Sequence, residues 1–269
     1  MIFALPLYDD NPTTRDPIVT YLLIGLCVGA FLWQLGQQHE SAVLYEYGMI
    51  PARLFGLWHL QRIYEVVPAW MTLFTSMFLH GGWFHLIGNM LFLWIFGNNI
   101  EDVLGRARFL FFYLCCGVAA ALSQAFSSYG AHVPMVGASG AIAGVLGAYL
   151  LLYPNANVHV FVWIVIFFRI VNIPAWTLLG LWFAMQLLSG FARTPGTPGV
   201  AFWAHVGGFV SGIILVILLR PRGLALLQPP RSPGFAAVPP SAFTGRRTFH
   251  GGSVPPVGRP YRRRSGLWD

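Results

Sequence analysis

Apolar residues in this chain gather into long unbroken runs and do not alternate with polar ones. A helix that crosses a hydrocarbon core of about 30 Å needs roughly 20 apolar residues. Runs of that kind lie at 18–36, 77–97, 107–127, 138–153, within 158–190, and at 201–219. The pattern predicts an all-α polytopic membrane protein. The stretch 158–171, VHVFVWIVIFFRIV, is β-branched as well as apolar, and Pro174 breaks any continuous helix with the run behind it. Residues 158–190 therefore read as one crossing or two. One crossing gives six spans, with the second, fourth and sixth entering the bilayer from the same side. Between the first two runs, 37–70 reads as a long outer loop, loosely amphipathic and suited to the membrane surface. No internal repeat is evident, which counts against an inverted-repeat transporter.

Composition agrees with that pattern. Of 269 residues, 56% are hydrophobic and 9% charged, against about one quarter charged in soluble domains. The net charge of +7 is local: nine Arg stand in 220–269 against Asp269, whereas 1–219 hold seven Arg and eight acids. That excess sits on a Pro/Gly-rich segment with no folded groove, so it argues topology and gives no reason for a nucleic-acid partner. The tail and the Arg106/Arg108 loop fall on one face, while the 128–137 loop on the other carries no charge. N- and C-termini are then cytoplasmic. The expected organisation is a short cytoplasmic N-terminus at 1–17, a membrane domain at 18–219, and a disordered Pro/Arg-rich cytoplasmic tail at 220–269. Residues 1–17 show no basic region or cleavage site before the first run, which reads as a retained span. Cys27, Cys115 and Cys116 lie inside apolar runs and imply neither a disulfide framework nor a metal site. No cofactor is expected.

Polar residues inside apolar runs are costly and mark candidate chemistry. Gly137-Ala138-Ser139-Gly140 opens the fourth run, placing Ser139 at a helix N-terminus, where backbone N–H groups lack intrahelical partners and the dipole is positive. The run is short, so Ser139 should lie below the membrane surface. The same glycines also suit a close-packed helix face. Ala204-His205-Val206-Gly207-Gly208, followed by Gly212, opens the sixth run. With six spans, Ser139 and His205 share the outer end of the bundle. In the second run, His85 and Asn89 stand at i and i+4 on one helix face, as oxyanion donors or as polar contacts between helices. The acids Glu101 and Asp102 fall at the far end, which leaves a Ser–His dyad without a carboxylate. The spacing H-E-x-x-H of a zinc protease is absent, and no acid lies within the predicted spans.

Three motifs in order, H-x4-H-x3-N at 80–89, G-x-S-G at 137–140 and A-H-x-x-G-x-x-x-G from 204, resemble the rhomboid family of intramembrane serine proteases over residues 70–215. The resemblance implies a six-transmembrane-helix bundle whose Ser–His dyad lies in a water-filled cavity opening to the outside. It implies Ser139 as nucleophile, His205 as base, and an oxyanion hole from His85, Asn89 and the Ser139 backbone. His80, Gly137 and Gly140 would support them. The implied partners are the lipid bilayer and transmembrane-protein substrates, with a prokaryotic inner membrane as the expected location. Two positions depart from the family: Trp70-Met71 stands where Trp-Arg is frequent, and Ala143 where an aromatic often stacks on the histidine. They keep alive a rhomboid-like protein that binds transmembrane helices without cutting them.

Overall fold

The computed structural model describes residues 2–61, 65–164, 167–194, 199–230 and 234–235. Strand β1 (Ile2–Asp9) leads into α1 (Ile18–Leu35), then α2 (Glu40–Tyr47), α3 (Pro51–Leu54), α4 (Thr72–Thr75), α5 (Trp83–Leu104), α6 (Arg106–Ser127) and α7 (Ser139–Leu152). Strands β2 (Asn157–Ile164) and β3 (Phe167–Pro174) follow, then α8 (Ala175–Ala192) and α9 (Phe202–Leu219). Helices α1, α6, α8 and α9 are long and apolar enough to cross a membrane. Helix α7 is apolar but has 14 residues, about 21 Å. Helix α5 has 22 residues and carries Asn98, Asn99, Glu101 and Asp102 in its last turns. The protein is a mostly helical, multi-pass membrane protein.

The all-α expectation is corrected by an antiparallel sheet of order β1-β2-β3. Within the segment 158–171, residues 158–164 and 167–171 belong to the two strands of a hairpin, with Val158 opposite Ile173 and Val160 opposite Val171. Its β-branched and aromatic residues fit a pleated surface better than a helix. Residues 158–190 thus hold one long helix, α8, which starts directly after its N-cap residue Pro174. Residues 1–17, expected as a plain terminus, supply β1, which pairs Phe3 with Trp163 and Leu5 with Phe161. Pro6 is tolerated there because β1 is an edge strand.

The start of the tail is also ordered. Leu227 and Gln228 donate backbone hydrogen bonds to Leu151 and Leu152, and Phe235 donates to Asn172. The expectation of disorder from residue 220 is corrected over these residues, because the chain there completes orphan carbonyls at the end of α7. Residues 236–269, which contain the 262–264 arginine run, lie outside the described residues. The expected outer loop 37–70 contains α2 and α3, with Met49 and Met135 exchanging two backbone hydrogen bonds.

Helix α7 is the centre of the bundle, buried from Gly140 through Tyr149. It packs on α5, α6, α8 and α9. The end of the bundle opposite Ser139 is fastened by acids. Glu101, buried in α5, accepts from Val19 N (2.9 Å), Thr20 N (2.8 Å) and Thr20 Oγ1 (2.8 Å), capping α1, whose own N-cap residue Pro17 offers no side-chain cap. Asp102 accepts from Thr14 and Arg15. Asp9 accepts from Tyr149 Oη (2.5 Å) and Asn99 Nδ2 (2.9 Å), and burial pushes its carboxyl up to about 7.

Candidate active site

Ser139 is the first residue of α7, and Ala138 before it makes no side-chain cap. The first helical hydrogen bond from this end that reaches back across the start is Ile142 N to Ala138 O. The N–H groups of Ser139, Gly140 and Ala141 are therefore free of the helix ladder and sit at its positive end. The preceding segment is pinned at two points, Met135 to Met49 and Gly137 N to Ser76 O at 2.8 Å. Gly137 has φ +124°, a conformation side chains disfavour.

His205 lies in the first turn of α9 and is buried. Its Nε2 is 2.8 Å from Ser139 Oγ. Helices α7 and α9 meet closely enough for this because glycines line both faces: a methyl on Gly208 would collide with the Gly140 carbonyl, and one on Gly212 with that of Gly144. The glycines that suited a packing face and the serine that suited chemistry are thus parts of one arrangement.

From α5, His85 and Asn89 reach the same space. A Cβ at Gly137 would lie 2.7 Å from His85 Nε2 and 3.7 Å from Asn89 Nδ2. His85 Nδ1 accepts from Gly81 N at 3.3 Å, so the ring proton of the neutral form sits on Nε2, the nitrogen that faces Gly137. Asn89 Nδ2 is buried and finds no partner among the described residues. A buried amide donor left open costs about 1–3 kcal/mol, and Asn89 Nδ2 is such a donor, with His85 Nε2 beside it. His80 stands behind His85, their rings edge to face at 5.2 Å. Its backbone is clasped by Gln34 of α1, which donates to His80 O at 2.8 Å. A cavity of about 680 Å³ is lined by Ser139, His205, His85, Asn89 and Trp182.

One polar residue at the site was not singled out from the sequence. Gln186 of α8 is buried, and its Oε1 lies 2.8 Å from His205 Nδ1. Trp182, one turn earlier, lies 5.7 Å from the His205 ring centre to centre, tilted by 37°. These two side chains of α8 are the ones that meet the His205 ring from that helix. The signal was present, since Gln186 is a lone amide in an apolar run, the same criterion that picked out His205. The face it presents could not be read while 158–190 was undivided. Glu101, expected outside the spans, falls within the last turns of α5 and is spent on α1. Among the described residues no group of three or more His, Cys, Asp or Glu side chains could hold a metal.

Residues 67–222 match the family model described as Rhomboid domain. The chain is 32% identical over 196 residues to "Rhomboid protein 1, mitochondrial" of Saccharomyces cerevisiae, covering 65% of this chain and 53% of that protein. It is 35% identical over 181 residues to "RHOMBOID-like protein 1" of Arabidopsis thaliana, covering 66% and 41%. A shorter match, 44% identical over 82 residues, covers 30% of this chain and 15% of "Rhomboid protease GluP" of Bacillus subtilis. The chain thus spans 53% and 41% of the length of the first two of these relatives. Their sources are a fungus, a plant and a bacterium, so they lend no support to a prokaryotic inner membrane in particular.

Proposed function

Because this chain belongs to the rhomboid family, we propose that it is an intramembrane serine endopeptidase that cuts peptide bonds in or near transmembrane segments of other membrane proteins. The observation that carries the proposal is the 2.8 Å approach of Ser139 Oγ to His205 Nε2 inside a cavity flanked by unpaired donors. In this reading six helices cross the bilayer: α1, α5, α6, α7, α8 and α9. Ser139 and His205 then open to the outer face, and β1 and the described start of the tail lie on the cytoplasmic side.

His205 Nε2 takes the Ser139 hydroxyl proton as Oγ attacks a peptide carbonyl. The carbonyl oxygen becomes an oxyanion, held by the Ser139 backbone N–H, His85 Nε2–H and Asn89 Nδ2. His205 returns the proton to the leaving amine, and cavity water hydrolyses the acyl-enzyme. A helical substrate hides its carbonyls in its own hydrogen bonds, so residues of weak helix propensity at the cut favour reaction. The rival reading, a binder of transmembrane helices, does not require Ser139 and His205 to be within hydrogen-bond reach.

The test is cleavage in liposomes of a membrane-spanning peptide with a glycine-containing helix, followed by mass spectrometry of the products. Wild type should yield two fragments, and Ser139→Ala and His205→Ala should yield none. Peptide retention without cleavage by the folded wild type would favour the binder.

A further inference from the structure

We infer that Gln186 is a positioning residue that holds His205 as the Nδ1–H tautomer, so that the Nε2 lone pair faces Ser139. The inference rests on the serine-protease reading above. A neutral imidazole has one N–H and one lone pair. The amide oxygen of Gln186, 2.8 Å from Nδ1, can only accept, so the hydrogen on that side belongs to Nδ1. Nε2 is then left to accept from the Ser139 hydroxyl 2.8 Å away. The opposite tautomer would set the Nδ1 lone pair against the amide oxygen and turn Nε2 into a donor, useless as a base. Gln186 thus occupies the place that a carboxylate takes in a Ser–His–Asp arrangement, and it does so without burying a charge.

Two further observations support the role. Gln186 and Trp182 stand at i and i+4 on α8 and both meet the His205 ring. Ser139 and His205 belong to α7 and α9, which glycines lock together, whereas Gln186 comes from α8, whose buried residues form one narrow stripe of Ala175, Leu179, Gln186 and Gly190. The base-competent tautomer therefore depends on a third helix, and a shift of α8 that leaves the Ser139–His205 distance untouched removes the acceptor from Nδ1.

The experiment uses the full chain in liposomes. The variants are Gln186→Leu, which removes the acceptor at similar size, and Gln186→Glu, which keeps one. Labelling of Ser139 by a fluorophosphonate and cleavage of the membrane-spanning peptide are measured together with 15N spectra of the histidine ring. Gln186→Leu should lower labelling rate and kcat roughly 10- to 100-fold with KM changed less than about 2-fold, and Gln186→Glu should recover most of that loss. The His205 signals of wild type should report a protonated Nδ1 and a bare Nε2. A wild-type spectrum with the proton on Nε2 overturns the inference whether or not either variant folds, as does wild-type labelling by Gln186→Leu. Absence of labelling in the wild type would instead count against the protease reading, leaving the ring spectrum to decide the role of Gln186.

Discussion

Gly208 of α9 lies so close to Gly140 of α7 that a methyl group on Gly208 would overlap the Gly140 carbonyl. The contact sits one residue beyond Ser139 and three beyond His205, so it sets the distance between the two. Gly208→Val should force α7 and α9 apart and reduce fluorophosphonate labelling of Ser139 by at least about 100-fold, since an error near 1 Å at reacting groups has that effect. Circular dichroism should show the helices retained. Wild-type labelling by Gly208→Val would mean that the glycine contact does not govern the site.

The open donors of α5 lead to a second expectation. If His85 and Asn89 act only when charge develops on the substrate carbonyl, His85→Ala and Asn89→Ala should each lower kcat about 10- to 1000-fold with little change in KM. Steady-state cleavage of the membrane-spanning peptide checks this. A rise in KM at constant kcat would assign them to substrate binding.

Sequence reasoning reached the centre of this site because its members are costly where they stand: Ser139, His205, His85 and Asn89 are polar groups in apolar runs, each at a defined place relative to a run's start. Gln186 satisfied the same rule but stood in a segment whose division was unclear. That ambiguity had a physical source. An apolar β-branched run of this length meets the hydropathy requirement of a membrane helix, whereas in the fold its two halves pair with each other as β2 and β3 and β2 pairs with β1, more than 140 residues away in sequence. Asp9 and Glu101 likewise take their roles from partners distant in sequence, which no local pattern announces.

Glu101 offers a stability test away from the site. It satisfies three donors at the start of α1, and Glu101→Ala leaves two buried backbone N–H groups unpaired. The loss should be about 3 kcal/mol, seen as a fall in unfolding temperature of roughly 6 °C or more in detergent. An unchanged unfolding temperature would show that α1 is capped by other means.

Asp9 should make stability depend on pH. Its carboxyl is raised from 3.8 to about 7 in the fold, so the folded state holds this proton more tightly than the unfolded state does. The sign follows: the fold is favoured most below about pH 4, loses stability as pH rises toward 7, and is level above it. Asp9→Asn removes the titration while leaving an acceptor for Tyr149. The unfolding temperature of the variant relative to wild type should therefore rise by roughly 5 °C between pH 5 and pH 8. A difference independent of pH would mean that Asp9 is not held protonated.

The pairing of Ser139 with His205 is tested most directly by labelling the purified protein in liposomes with a fluorophosphonate probe, comparing wild type with Ser139→Ala and His205→Ala. The account predicts covalent labelling of the wild type at Ser139, none in Ser139→Ala, and loss of labelling in a folded His205→Ala. A folded wild type that does not label, or a His205→Ala that labels as fast as wild type, would contradict it.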